Sequence, residues 1–247
     1  VNATHVHELF AGIARRYDWL NDVMSLGLHR CWKCRLVTLA GQPRDVLDLC
    51  CGTGDIARRL ARRGGFDARV TGVDFTIEML RIAAARTAAS GTLAPPDSAV
   101  AQPSRLRLLT WVQADALRLP FADNSFEVVS VGYGLRNLAD LEAGLREIHR
   151  VLRPGGKLLS LDFGKPESGV WRRLYFAHLR FWVPVLGRVL AGNRDAYAYI
   201  LPSLENYPGQ RGVKAALEHA GFADCGFEEF CGGAMAINYG RKSASMT

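Results

Sequence analysis

Between Val46 and Leu161, short runs of apolar residues alternate with longer stretches whose apolar positions recur every three to four residues. The short runs are Val46–Cys50, Val70–Val73, Leu106–Val112, Phe126–Val131 and Lys157–Leu161. Each is four to seven residues long by count, the length of a buried strand. The stretches Ile56–Arg63, Ile77–Ala89 and Leu138–Leu152 have helical spacing. Strand and helix in alternation predict a parallel sheet covered on both faces, with right-handed crossovers. Two further strands are expected near Cys225–Phe230 and Ala234–Tyr239, after a helix over Arg211–Ala220 that Gly221 ends.

The flanks break this rhythm. Leu9, Phe10, Ile13, Tyr17 and Leu20 recur at helical spacing, so residues 1–42 are expected to be an N-terminal helical segment. Residues 90–104 are rich in Pro, Ala, Ser and Gly and read as a surface insertion. From Val170 the strand pattern stops. Trp171, Tyr175, Phe176, Phe181, Trp182, Tyr197 and Tyr199 are interspersed with arginines there, which predicts a helical substrate cap over 167–210. The expected fold class is α/β: one domain over 1–247 with a doubly wound, mostly parallel seven-stranded sheet.

Composition narrows the classes. Of the 247 residues, 49% are hydrophobic and 22% charged, which suits a folded domain rather than a disordered chain. The formal charge of +7 suits an anionic partner. The basic residues are scattered and carry no nucleic-acid-binding signature, so no nucleic-acid partner is expected. Val170 to Ala191 is the most apolar stretch, but Arg172, Arg173, Arg180 and Arg188 interrupt it, so no membrane span is expected. Cys31 and Cys34 have the spacing of half a zinc site, but no second pair exists, so no metal is expected. Six cysteines without a disulfide pattern suit a reducing compartment, and a cytoplasmic location is expected.

The candidate chemistry sits at the strand ends, where open parallel sheets bind ligands. After the first strand comes Cys51-Gly52-Thr53-Gly54, whose glycines permit a tight turn and close approach of a ligand. The second strand ends at Asp74-Phe75, twenty residues after Gly54, where a carboxylate can accept hydrogen bonds from both ribose hydroxyls of an adenosine. Nicotinamide enzymes share that arrangement, but their third glycine is Ala57 here. Asp115-Ala116 ends the third strand and suits an adenine amino group. Gly132 ends the fourth, where a small residue is expected to leave room for the reactive end of a ligand.

Taken together, Asp48, Gly52 and Gly54 resemble the first motif of class I methyltransferases, with Cys50 in place of its first glycine. A more specific resemblance lies outside that loop. Tyr17 to Lys33 (YDWLNDVMSLGLHRCWK), Gly134-Leu135-Arg136-Asn137, and Arg150 to Pro166 are similar to signatures of the ubiquinone/menaquinone-biosynthesis C-methyltransferases. Asp162 and Gly164 stand where that family usually has glutamate and serine. The resemblance covers nearly the whole chain. It implies S-adenosylmethionine as cofactor and C-methylation of a prenylated quinol. Demethylmenaquinol is the favoured substrate, with a polyprenyl benzoquinol as the alternative. A non-catalytic adenosyl-cofactor-binding protein and an RNA methyltransferase are the rival readings.

Such a reaction needs a nucleophilic ring carbon, so a base or a cation that stabilises a phenolate is sought. Arg136 is the candidate cation, His29 and Asp162 are candidate bases, and Tyr17 is a candidate for orienting the quinol. Asn137 is read as a helix N-cap. A prenyl tail needs an apolar groove, which the aromatic stretch after Val170 is expected to supply. Its arginines also suit an anionic membrane surface at the inner face. A homo-oligomer is left open.

Overall fold

The computed structural model describes residues 22–23, 25–65, 67–91, 109–186 and 200–244. Tyr17, Tyr197, Tyr199, the Trp182 side chain and nearly all of the 90–104 insertion lie outside what it describes.

Helix α1 (Leu28–Ala40) leads into β1 (Asp45–Leu49), α2 (Asp55–Arg63), β2 (Arg69–Asp74), α3 (Ile77–Gly91) and β3 (Leu109–Gln113). Then come β4 (Phe126–Gly132), a 3-10 turn (Leu135–Asn137), α4 (Leu141–Val151) and β5 (Leu152–Phe163). The chain continues through α5 (Gly169–Leu186), α6 (Ile200–Asn206) and α7 (Gly209–His219) to β6 (Phe222–Phe230) and β7 (Met235–Lys242). The seven strands lie in the order β3-β2-β1-β4-β5-β7-β6. All neighbours are parallel except β7, which runs antiparallel to both β5 and β6. The order reverses between β1 and β4, so their carboxyl ends part at the crevice where such sheets bind ligands.

Every residue of β1 is buried, as expected for a central strand covered on both sides. One core cluster contains Leu47, Val129 and Leu158 from the strands with Leu145, Ile148, Leu204 and Val213 from α4, α6 and α7. The other sets Val46, Val128, Leu159 and Ile237 against Leu36 of α1 and Ile56 and Leu60 of α2. The expected helix over Leu138–Leu152 is divided. Leu138 is extended, and α4 starts later, where the Asp140 carboxylate accepts from the Ala143 N–H at 2.9 Å. Asp140 is therefore the N-cap, and the reading of Asn137 in that role is corrected.

Candidate functional site

The loop after β1 is shaped by backbone angles that few residues accept. Gly52 and Gly54 have φ of 53° and 76°, and Cys50 has φ 54° without being glycine. Such a conformation costs a non-glycine residue about 1–2 kcal/mol. It turns the chain so that Gly52 donates its N–H to Asp74 Oδ2 at 2.8 Å. The other Asp74 oxygen accepts from the Thr76 N–H, also at 2.8 Å. The ends of β1 and β2 are thus joined through the carboxylate that borders the cleft.

That cleft lies across the ends of β1, β2, β3 and β4. Its walls include Gly52, Asp74, Phe75, Asp115, Ala116 and Gly132, all six predicted from the strand ends. Val73, Met79 and Leu117 add an apolar surface suited to an adenine ring, with the Asp115 carboxylate at its edge. Asp115 also accepts from the Leu117 N–H at 2.9 Å, which fixes the turn.

Four predicted cofactor residues do not line the cleft. Asp48 is buried and accepts from the Ser130 hydroxyl at 2.6 Å. Burial pushes its carboxyl up to about 7, against the Ser130 hydroxyl and the Ala57 N–H, which favour the charged form. The half-buried Cys51 has its thiol close to Gly72 instead, and desolvation holds that thiol well above the usual range. Thr53 is buried too. Gly54 faces the Trp111 ring, with which a Cβ would collide. These four shape the loop from behind. Gly132 also departs from expectation, because Ile56 fills the space that its side chain would occupy.

Among the lining residues outside the strand-end set are Cys50, Tyr133 and Asn137. Tyr133 has φ 61° and is, after Cys50, the second non-glycine residue of the cleft wall in the left-handed region. Strain of this kind at a wall position is a functional signal that composition does not carry. The Cys50 side chain packs at Gly134, where a Cβ would collide with it. Asn137 donates from Nδ2 to the Tyr133 carbonyl at 3.2 Å. Its buried Oδ1 has no hydrogen-bond partner among the described residues.

The candidate acid–base groups are arranged differently from expectation. Arg136 and Asp162 are ion-paired at 2.6 Å, each side chain only 4% exposed. Asp162 also accepts from the Phe163 N–H at 2.8 Å. Each of the pair neutralises the other, so Arg136, the candidate cation, and Asp162, a candidate base, meet in one buried ion pair. The Arg136 guanidinium also stacks over the Phe163 ring, 4.8 Å from its centroid. His29 lies on α1 and does not line the cleft. Its Nδ1 meets the Ser25 hydroxyl at 2.8 Å, and burial together with Lys33 holds its pKa below the ordinary value. That placement sets His29, a candidate base, outside the lining of the cleft. At Gly164 a side chain would meet the Gly233 carbonyl and Gln210, which is why this chain has no room for a hydroxyl there.

Comparison with known proteins decides the family. The model of the ubiE/COQ5 methyltransferase family matches residues 1–242. The chain belongs to the ubiE/COQ5 methyltransferase family. A demethylmenaquinone methyltransferase of Staphylococcus aureus (strain JH9) is 34% identical over 248 aligned residues, covering 100% of this chain and 96% of that protein. A SAM-dependent methyltransferase from Thermotoga maritima has a similar fold, with a TM-score of 0.63 at 17% identity, covering 97% of this chain and 100% of that one. Another from Aquifex aeolicus gives 0.58 at 17% identity, over 85% and 89% of the two chains. The family member described here is a methyltransferase that uses S-adenosylmethionine. The doubly placed Asp74 carboxylate and the apolar wall beside Asp115 suit that cofactor's adenosine.

Proposed function

We propose that this enzyme methylates a ring carbon of a reduced, prenylated quinone, with demethylmenaquinol as substrate and menaquinol as product. The relative from Staphylococcus aureus supports the substrate class. The observation that carries the site is Asn137, which lines the same cleft as Asp74 and Asp115 and whose buried amide oxygen has no hydrogen-bond partner among the described residues.

Asp74 holds the ribose, and Asp115 with its apolar neighbours holds the adenine. The bound cofactor supplies an electrophilic methyl group. The residues of this chain need only place a nucleophilic carbon in line with it, at about 3–3.5 Å. Asn137 Oδ1 accepts a hydrogen bond from a quinol hydroxyl and draws electron density toward the ring. The Arg136–Asp162 pair does not take the proton; it fixes the turn that presents Asn137. Helices α5 and α6 form part of the expected cap over the substrate.

The quinol is a lipid, and α5 offers a face for a membrane. Val170, Leu174 and Phe181 are 71%, 58% and 69% exposed and follow one another at helical spacing. Arg173 and Arg180 lie on the same helix without an acidic partner among the described residues. This combination suits an anionic lipid surface. Among the described residues, no helix is long and apolar enough to cross a membrane. Sedimentation with phosphatidylglycerol vesicles should capture the protein at low salt and release it at high salt. Equal recovery with neutral vesicles would reject the charge argument.

The decisive experiment supplies purified protein with labelled S-adenosylmethionine and reduced demethylmenaquinone. Label in the naphthoquinol ring is expected; turnover of a benzoquinol alone would move the assignment to that substrate. Asp74→Ala should weaken cofactor binding by about tenfold or more, since a hydrogen bond to a charged group contributes about 1.5–3 kcal/mol. Unchanged affinity by calorimetry would contradict the ribose assignment.

A further inference from the structure

We infer that the isoprenoid tail of the substrate leaves the cleft along an aromatic row on the carboxyl-end rim of the sheet, from Tyr133 through Phe163 and Phe230 to Trp32. The inference rests on the quinol reading above and assigns a place to the part of the substrate that does not react.

The row begins in the site itself, since Tyr133 lines the cleft. Its ring lies 6.0 Å from that of Phe163, the last residue of β5. Phe163 stands directly opposite Met235 in β7, and Met235 directly opposite Phe230, the last residue of β6. Directly opposed residues of antiparallel strands project from the same face. Phe163, Met235 and Phe230 therefore form one line across three strands, spanning roughly 10 Å at the usual strand spacing. The Phe230 ring is 6.4 Å from Trp32 on α1. One helical turn before Trp32 is Leu28, 45% exposed, where the row reaches the surface.

Burial distinguishes this row from ordinary core. Met235 is buried, but Tyr133, Phe163, Phe230 and Trp32 are each only half-buried. All four pack at the margin of the same apolar cluster. A half-buried aromatic rim that starts in a cleft is suited to a flexible hydrocarbon chain, which needs apolar area and no directional bonds. Two polar contacts set its ends. Arg136 stacks over Phe163 while ion-paired to Asp162, fixing the ring nearest the reacting centre. At the far end, Arg35 of α1 bonds Glu228 of β6 at 2.7 Å, which holds Trp32 over Phe230. The row thus separates two tasks: Asn137 meets the polar head, and the rim takes the tail.

The test compares two reduced demethylmenaquinones, one with a long polyprenyl tail and one with a single isoprene unit. In Phe230→Ser, KM for the long-tailed substrate should rise by about tenfold, as expected for losing one aromatic contact with hydrocarbon. KM for the short-tailed substrate and the affinity for S-adenosylmethionine should stay within about twofold of wild type. Phe230→Leu, which keeps the apolar surface, should restore most of the long-tail preference and guards against a folding defect in the serine variant. Equal changes for both substrates, or none for either, would overturn the inference while leaving the quinol reading intact. Failure of the wild type to methylate either quinol would overturn both.

Discussion

Arg136 and Asp162 are separated by 26 positions in the chain, yet the two side chains share one buried ion pair. Removing one partner of such a pair leaves the other charge without compensation in a medium of low dielectric. Asp162→Asn should therefore destabilise the fold by about 3–5 kcal/mol. The double substitution Arg136→Met with Asp162→Leu should cost less than that single change. Urea unfolding of the three variants gives the order, and a milder single variant would argue against the pair as a structural unit. Asn137, the neighbour, has the opposite character: its Oδ1 is buried and unpartnered among the described residues, which is tolerable at a position that meets a ligand. The motif containing both residues was legible before folding was considered. Which of them faces the cleft was not, because three consecutive residues in a 3-10 turn point in different directions.

At the scale of elements, α1 and α2 are clasped beside the cofactor loop. Lys33 of α1 is buried and its Nζ lies 3.0 Å from Asp55, the first residue of α2. Arg59 reaches the same carboxylate from one turn further along, at 2.9 Å. Burial pushes the Asp55 pKa up, but Lys33 and Arg59 outweigh it and hold the carboxyl at about 2. Because α2 starts immediately after Gly54, this clasp fixes the loop that holds Gly52 against Asp74. Lys33→Met should cost about 1–3 kcal/mol, less than a fully buried pair since Asp55 keeps Arg59 and some solvent. It should also weaken cofactor binding, and Lys33→Arg should recover part of both losses. Normal cofactor affinity in a destabilised Lys33→Met protein would separate the clasp from the loop. Helical periodicity revealed both helices; the pairing of Lys33 with Asp55 depends on α1 crossing the sheet next to α2, which periodicity does not encode.

For the whole molecule, Asp48 links stability to pH. Its carboxyl sits in the middle of the sheet with a folded value of about 7 against an ordinary value of 3.8. Between those values the folded protein holds a proton that the unfolded chain releases. Stability from this group is therefore full at low pH and declines as pH rises toward 7, by up to about 1.4 kcal/mol per unit. Asp48→Asn should gain on the wild type as pH is raised from about 5 to 8, with the largest advantage above neutrality. Parallel stability–pH curves for the two proteins would show that Asp48 is charged throughout.

The alternation of apolar runs and helical stretches determined the α/β class, because a strand buried on both faces and an amphipathic helix each have a periodicity of their own. It also pointed to the strand ends as the place for a ligand, since the cleft of a parallel sheet lies there, and six of the strand-end residues line that cleft. Tertiary structure alone decided the direction of each side chain there. Cys51, Thr53 and Gly54 belong to the right loop and Asp48 to the strand before it, but none of the four lines the cleft, and Ile56 fills the space at Gly132. His29 is drawn to Ser25 and Asp162 to Arg136. A buried charge must find a partner wherever the fold places one, and contacts across 26 residues of separation, or between one strand edge and another, leave no local pattern in the chain. The aromatic row has the same origin: Trp32, Tyr133, Phe163 and Phe230 are far apart in sequence and meet only because β7 inserts between β5 and β6 under α1.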